Sequence, residues 1–406
     1  MKYKFLATIC LLGLFAIRSF AQDVKKALSF AEKQTDVLLQ ETEKAKAAPG
    51  NAKAFSPRTL NTDGSLALVK SDDWCSGFFA GNLWQLYEYG ADEKWMAQAK
   101  TFTTPMEAEK TNGGTHDLGF MIYCSVGNGY RLTHDQHYKD VIIEAAKTLS
   151  TRFNPVVGCI KSWDKSKWKY PVIIDNMMNL ELLFEATKLS GDSSFYKIAV
   201  THANTTMKNH YRDDYSSIHV VDYDPETGKV LHKQTAQGYA DGSAWARGQS
   251  WGLYGYTLCY RETGNKIYLN QAEKIAGFLL NNPTLPKDLV PYWDYNDPAI
   301  PNVPKDASAA AIMASALYEL STYSSNGKHY KDIADKILIS LGKSYQAPTG
   351  EDRGFLLLHS TGHKPAKSEI DVPIIYADYY YLEALLRKRH LTEGKPVINV
   401  LGALKY

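Results

Sequence analysis

The chain is short of the features that usually betray a protein's chemistry. Cysteine is scarce, five in 406 residues. The spacing of Cys75, Cys124, Cys159 and Cys259 fits neither a metal knuckle nor a disulfide framework. A chain this long buries a core without staples, so these four are expected as free, buried thiols. An excess of one charge is also missing, with 46 Lys and Arg against 44 Asp and Glu. That balance excludes the strongly basic surface of a nucleic-acid binder, and an anionic ligand must be held by a few placed cations. Beyond the first 21 residues no apolar run is long enough for a bilayer span, which argues against membrane insertion.

What is present begins at the N-terminus. Lys2 and Lys4 precede an apolar run from Phe5 to Ile17, and Ser19-Phe20-Ala21 offers a small-residue cleavage site before Gln22. This is the layout of a cleavable signal peptide over residues 1–21, with a core too short to stay in a bilayer. Cys10 follows Ile9 inside the run rather than a small residue at its end, which argues against a lipid anchor. Cleavage removes three basic residues and no acids, leaving 43 against 44. The mature chain, residues 22–406, is expected as a soluble exported protein, most simply periplasmic, and as a monomer or weak homo-oligomer.

One punctuation recurs along it. A helix ends in a short polar turn, an aromatic follows, and alanines sit a turn further on. Tyr89-Gly90-Ala91-Asp92 leads to Trp95 and Ala99, and Leu189-Ser190-Gly191-Asp192 leads to Tyr196 and Ala199. Glu262-Thr263-Gly264-Asn265 leads to Tyr268 and Ala272, Ser325-Asn326-Gly327 leads to Tyr330 and Ala334, and Leu132-Thr133-His134-Asp135 is a looser copy. Gly ends one helix and Asp or Asn caps the next. The pattern predicts twelve helical segments: one at about 24–45, hairpins at 77–110, 116–152, 175–211, 243–282 and 307–343, and a last helix at 375–390. The period is irregular because insertions interrupt it at 153–174 and 212–242, the second a β-hairpin around Asp224-Pro225-Glu226-Thr227-Gly228. A single all-α domain fits best, an (α/α)6 barrel of six helical hairpins with short β-hairpin insertions; an open α-solenoid is the alternative.

In such a barrel the leading ends of the inner helices meet at one mouth. Counting the segment at 77 as the second inner helix, Thr115-His116-Asp117 opens the third, and Asp175-Asn176, Ser243 to Trp251 and Asp306-Ala307-Ser308 open the next ones. Each aspartate reads alternatively as a plain N-cap. Two of them converging with Arg and Trp residues make a candidate catalytic centre, because neighbouring carboxyls are driven apart in proton affinity. Arg247 and Trp251 lie four apart on one helical face, with Trp245 a turn before. Indoles pack on sugar faces and a guanidinium pairs with a carboxylate; the alternative is a core Trp pair under a snorkelling Arg. Gly248, Gln249 and Ser250 beside them are poor material for a dry core, which favours the first reading. His219 on the inserted strand, Gln237 before Gly238, and Trp74 and Trp163 in the preceding loops are further candidates.

Six blocks, in order, resemble the unsaturated glucuronyl hydrolases of glycoside hydrolase family 88. They are Thr115 to Phe120, Ile174 to Leu180, Trp245 to Trp251, Pro291 to Asp294, Asp306 to Ala310 and Tyr376 to Leu385, and the similarity runs from about Trp74 to Arg387. The resemblance implies an enzyme that hydrates the C4=C5 vinyl ether of the unsaturated uronic acid left by a polysaccharide lyase. It assigns Asp175 as the group that protonates C4 and helps water add at C5, with Asp117 as the second essential aspartate. It implies substrate contacts by His219, Gln237, Trp245, Arg247 and Trp251, and by Trp74, His116 and Trp163, and no metal or organic cofactor. Some relatives hold sulfated disaccharides on a Ser/Lys loop late in the chain; here His359 to Pro365 carries no clear copy of it. An unsaturated rhamnogalacturonyl hydrolase, a barrel-shaped polysaccharide lyase and a non-catalytic periplasmic glycan-binding protein are the other readings.

Overall fold

In the computed structural model, residues 2–50 and 53–398 are described, with side chains from Val24 onward; the expected signal peptide therefore lies outside the residues with described side chains. Helix α1 (Lys2–Lys46) is followed by α2 (Ser76–Gly90) and α3 (Glu93–Thr103). A π-helical stretch, Gly119–Gly127, runs into α4 (Asn128–Thr133), and α5 (Gln136–Ser150) returns. Then come α6 (Asn176–Ser190), α7 (Ser193–Asn209), α8 (Ala246–Thr263), α9 (Lys266–Leu280), α10 (Ala307–Leu320), α11 (Gly327–Ser344) and α12 (Ile375–Thr392).

Helices α2, α4 with its π-helical lead, α6, α8, α10 and α12 each pack on the next, and α12 packs back on α2. That last contact closes the ring and rules out the open solenoid. The inner helices are apolar nearly all round, as α10 shows, where every residue from Ala307 to Leu320 is buried. The outer helices α3, α5, α7, α9 and α11 are amphipathic, and α1 packs outside α12 as the partner that completes the sixth pair. The first inner helix is thus α2, so Asp117 opens the second inner helix rather than the third.

The repeated turns do as their residues dictate. Asp92, Asp135, Asp192 and Asn265 accept the backbone N–H two residues on, each capping an outer helix. Gly191 and Gly264 close α6 and α8 at positive φ. At the first turn Ala91, not Gly90, takes the left-handed cap, and Asn326 caps through no side-chain bond. All four described cysteines are free and buried. No helix among the described residues is long and apolar enough to cross a membrane.

The insertions form small antiparallel sheets over one end of the barrel. Strands β1 (Ser56–Leu60) and β2 (Leu66–Val69) pair, as do β3 (Phe153–Asn154) and β4 (Cys159–Ile160). Strand β5 (Pro171–Ile173) pairs with β6 (Val220–Tyr223), which pairs with β7 (Val230–Gln234) around the expected Pro/Gly turn. A last hairpin, β8 (Ser360–His363) and β9 (Ser368–Val372), was not foreseen from the sequence.

Candidate active site

The leading ends of the inner helices surround a cleft of about 240 Å³. Trp74, His116, Asp117, Trp163, Asp175, Gln237 and Arg247 line it, joined by Arg58, Gly362, His363, Glu369 and Tyr376. Two local features bring the aspartates there. The buried run Val172 to Ile174 ends strand β5 and delivers Asp175 to the start of α6, and the Ile174 N–H donates to the His219 carbonyl at 3.1 Å, setting His219 beside it. A Cβ on Gly119 would lie 2.5 Å from the Asn179 Cα, so only glycine lets the Asp117 segment approach α6 this closely.

The capping alternative separates the aspartates. Asp306 accepts from the Ser308 N–H and hydroxyl through one oxygen and from Arg247 through the other, so it is a cap and an anchor. Asp175 makes no capping bond although it stands at the cap of α6. Its Oδ2 is buried without a hydrogen-bond partner among the described residues. Burial pushes the Asp175 carboxyl up to about 7, against the pull of the Arg247 charge and with the help of Asp117. Burial likewise pushes Asp117 up to about 7, opposed by bonds from Asn179 and Thr115. Both groups exchange protons near neutrality.

Two histidines flank the pair in opposite tautomers, assigned from their partners. The Asn176 amide donates to the Ile160 carbonyl and the Ser162 hydroxyl, which turns its oxygen toward His116 Nδ1–H. His116 Nε2 is then a bare acceptor 3.4 Å from Asp117 Oδ2, an arrangement that favours a proton on Asp117. Burial holds His116 down at about 3, so it stays neutral. His219 Nδ1 accepts from the Ala236 and Gln237 N–H groups at 3.1 and 3.2 Å. Its Nε2–H therefore faces Asp175 Oδ2, at 3.7 Å, too far for a direct bond and close enough to share a small polar group.

Four sequence expectations change. Trp251 is fully buried against Phe120 and Tyr380, so it offers no face to a sugar and instead supports the floor beneath Asp175. Trp245 is buried too, its ring between His219 and the Arg247 guanidinium, which lies 4.5 Å from its centroid. One edge of the Arg247 guanidinium is already engaged within the protein. Its Nη1 donates to Asp306 and to the Thr361 carbonyl and its Nη2 to the Gly362 carbonyl, pinning hairpin β8–β9 over the mouth. Three of its five N–H groups are used in this way, and the Nε–H is buried without a partner among the described residues. Gln249 and Ser250, taken as poor core material, are core after all, bonded to Ser217 and to the Ala309 carbonyl. The indoles on the cleft are Trp74 and Trp163.

No local pattern points to Arg58. It clamps Glu369 of β9 and Asp73 beside Trp74, tying the hairpin to the barrel. Tyr376 stood inside a recognised block without a role; its hydroxyl is buried and unpartnered at the cleft. The cleft thus gathers unsatisfied polar atoms of His116, Asp175, His219, Arg247 and Tyr376. Native interiors rarely leave such groups bare, and a cluster of them marks a place shaped for a polar ligand.

The sequence profile of Glycosyl Hydrolase Family 88 matches residues 53–388. An unsaturated glucuronyl hydrolase of Formosa agariphila is 54% identical over 327 residues, 80% of this chain and 82% of the relative. An unsaturated chondroitin disaccharide hydrolase of Streptococcus pneumoniae is 33% identical over 342 residues, 82% of this chain and 85% of the relative. Among solved structures, an unsaturated glucuronyl hydrolase specific for heparin superposes with a TM-score of 0.84 at 45% identity, covering 91% of this chain and 99% of that one.

Proposed function

The chain belongs to glycoside hydrolase family 88, and from that premise we propose that it releases the terminal 4,5-unsaturated uronic acid from lyase-generated glycosaminoglycan oligosaccharides. The observation that carries this reading is the Asp175 carboxyl, buried at the cleft with a free oxygen and a proton affinity near neutrality. A group so poised gives up a proton and takes one back in a single turnover.

Asp175 protonates C4 of the vinyl ether, and the positive charge that develops at C5 is shared with the ring oxygen. The Asp175 carboxylate, with the His219 Nε2–H opposite, then orients a water that adds to C5 and returns its proton to Asp175. The hemiketal opens to a ketone at C5, leaving at C1 a hemiacetal that expels the sugar. One water is consumed and the enzyme is restored. This differs from ordinary retaining hydrolysis, where two carboxyls attack and protonate at the anomeric centre. Asp117, when ionised, raises the proton affinity of Asp175 through its negative charge. Trp74 and Trp163 supply apolar faces for the sugar rings, Gln237 a polar edge, and Arg247 a positive charge with its Nε–H unengaged.

The test is a panel of unsaturated disaccharides from chondroitin, hyaluronan, heparin and rhamnogalacturonan lyases, followed by loss of the ultraviolet absorbance of the conjugated double bond. Decay on the chondroitin, hyaluronan or heparin disaccharides is expected; decay only on the rhamnogalacturonan product, or on none, would overturn the reading. We also propose export to the periplasm through the residue 1–21 signal, which N-terminal sequencing checks: a first residue near Gln22 supports it, and an intact Met1 or a lipidated cysteine refutes it.

A further inference from the structure

At about 240 Å³ the cleft is smaller than the ~300 Å³ at the low end of ligand pockets. A space of that size is too small for a longer oligosaccharide, which must leave over the rim. One stretch of rim is built unlike the rest. Between β4 and β5 the chain reads Lys161-Ser162-Trp163-Asp164-Lys165-Ser166-Lys167-Trp168-Lys169, four lysines and two tryptophans in nine residues. Trp163 lines the cleft. Trp168 stands outside it, its ring 5.6 Å from that of Trp163 and inclined by only 30°, so the two indoles step outward as one apolar surface.

Trp168 is held in place rather than left loose. Its indole N–H donates to Gln234 Oε1 of strand β7 at 2.6 Å, and its backbone N–H to the Ser166 hydroxyl at 3.3 Å. Cations crowd it. Lys167 Nζ lies 4.8 Å from the ring centroid, and Lys165, Lys167 and Lys169 are exposed. The segment's one acid, Asp164, is already bonded by Arg152. A lysine-rich loop alone is ordinary solvated surface. A tethered indole that continues the cleft wall, with one cation over its ring and others exposed beside it in the chain, matches an acidic sugar, apolar on one ring face and anionic at its rim.

Resting on the function proposed above, we propose that Trp168, Lys165 and Lys167 form an outer subsite for the third sugar of an unsaturated oligosaccharide. In polymers that alternate uronic acid with amino sugar, that third residue again carries a carboxylate. The enzyme would then favour tetrasaccharides over disaccharides through binding rather than chemistry.

Kinetics on unsulfated unsaturated disaccharides and tetrasaccharides of chondroitin and of heparin type test this, because without sulfate the third-sugar carboxylate is the added anion that the loop meets. The wild-type chain is expected to show a KM about tenfold lower for a tetrasaccharide than for its disaccharide, at similar kcat, with the advantage shrinking in high salt. Trp168→Ala and the double variant Lys165→Ala with Lys167→Ala should each erase most of that advantage, and Trp168→Phe should keep part of it. Unchanged disaccharide turnover in the double variant, which leaves both indoles alone, shows that the site is intact. Equal KM values in the wild-type chain, or equal losses on both lengths in the double variant, would overturn the subsite and leave the function reading standing. No turnover of any disaccharide would overturn both.

Discussion

The two ends of the barrel carry the same kinds of charged residue and use them in opposite ways. At the leading ends of the inner helices Asp117 and Asp175 face a cleft with no cation bonded to either. Toward the trailing ends acids and bases are bonded to one another. Arg261 binds Glu319 and Glu262 at 2.9 Å each and also Glu181, Arg387 binds Glu383 at 3.0 Å and Glu319 at 3.3 Å, and Arg131 binds Glu88 at 2.6 Å. The space enclosed there is only about 70 Å³. Helix polarity favours this division, since trailing ends attract cations and leading ends attract anions. Paired charges lock the closed ring. Unpaired ones, made costly by burial, are left to carry protons.

If that contrast is right, removing a charge from each end breaks different things. The largest effect belongs to Asp175→Asn, which should lower kcat about a thousandfold or more while substrate binding and folding persist, because the amide fills the same space and moves no proton. Near-normal turnover would sink the mechanism. In the wild-type chain the rate should fall as pH rises through about 7, where Asp175 loses the proton it must donate. Asp117→Asn should move that limb to lower pH, since the neighbouring charge no longer helps to hold the proton, and should itself be severely slowed. An unchanged limb would show that the two carboxyls are not coupled.

At the other end Arg261→Leu should leave the chemistry alone and strike the fold. It strands Glu181 and leaves Glu319 to Arg387 alone, and breaking a buried ion pair from one side costs about 3–5 kcal/mol. Denaturant unfolding should show that loss, while kcat of the remaining folded protein stays within about twofold of wild type. A large fall in kcat at unchanged stability would erase the distinction between the two ends.

Arg247 sits between these cases. Its bonds to Asp306, Thr361 and Gly362 make it structural, while its charge acts on Asp175. Arg247→Lys keeps the charge and cannot make the same fork. Loosening of hairpin β8–β9 should then cost about tenfold in kcat/KM, for the acidic substrate and its methyl ester alike. Loss confined to the acid would return Arg247 to the carboxylate-binding role that its sequence context suggested.

Much of this was legible before any coordinates. Helix positions follow from local signals, so Asp92, Asp192 and Asn265 cap where their turns predicted, and the Val172 to Ile174 run delivers Asp175 as expected. What escaped depends on partners far away in the chain. Arg58 and Glu369 are 311 residues apart, and no local pattern announces that they will meet. Hairpin β8–β9 was missed because Ser360 to His363 lacks alternating apolar residues and is held by Arg247. The tryptophan assignments inverted for a related reason. Helical spacing places Trp251 near Arg247 but does not say which side of an inner helix faces the mouth and which faces the neighbouring rings.

The smallest predicted effect is the one that separates the two ends by sign. Asp175 has a folded value of about 7 against an ordinary 3.8, so the folded chain binds the proton more tightly than the unfolded chain. Stability from this group is fully present below about pH 4 and is lost as pH rises through about 7. Glu88 behaves in the opposite way. Burial works against its charge, but Arg131 outweighs burial and holds it below its usual value of 4.5, so its contribution is present above that value and is lost on acidification. Asp175→Asn should therefore match wild type in thermal stability near pH 4 and exceed it by about 2–4 °C above pH 7, where the wild-type chain bears a buried, unpaired carboxylate. Glu88→Gln should be less stable than wild type at neutral pH, with the difference closing toward pH 4 and below. Melting curves of both variants across that range decide the matter. Parallel curves for Asp175→Asn and wild type would mean that the carboxyl is not strained by burial, and the proton that the mechanism places on it near neutrality would have no physical basis.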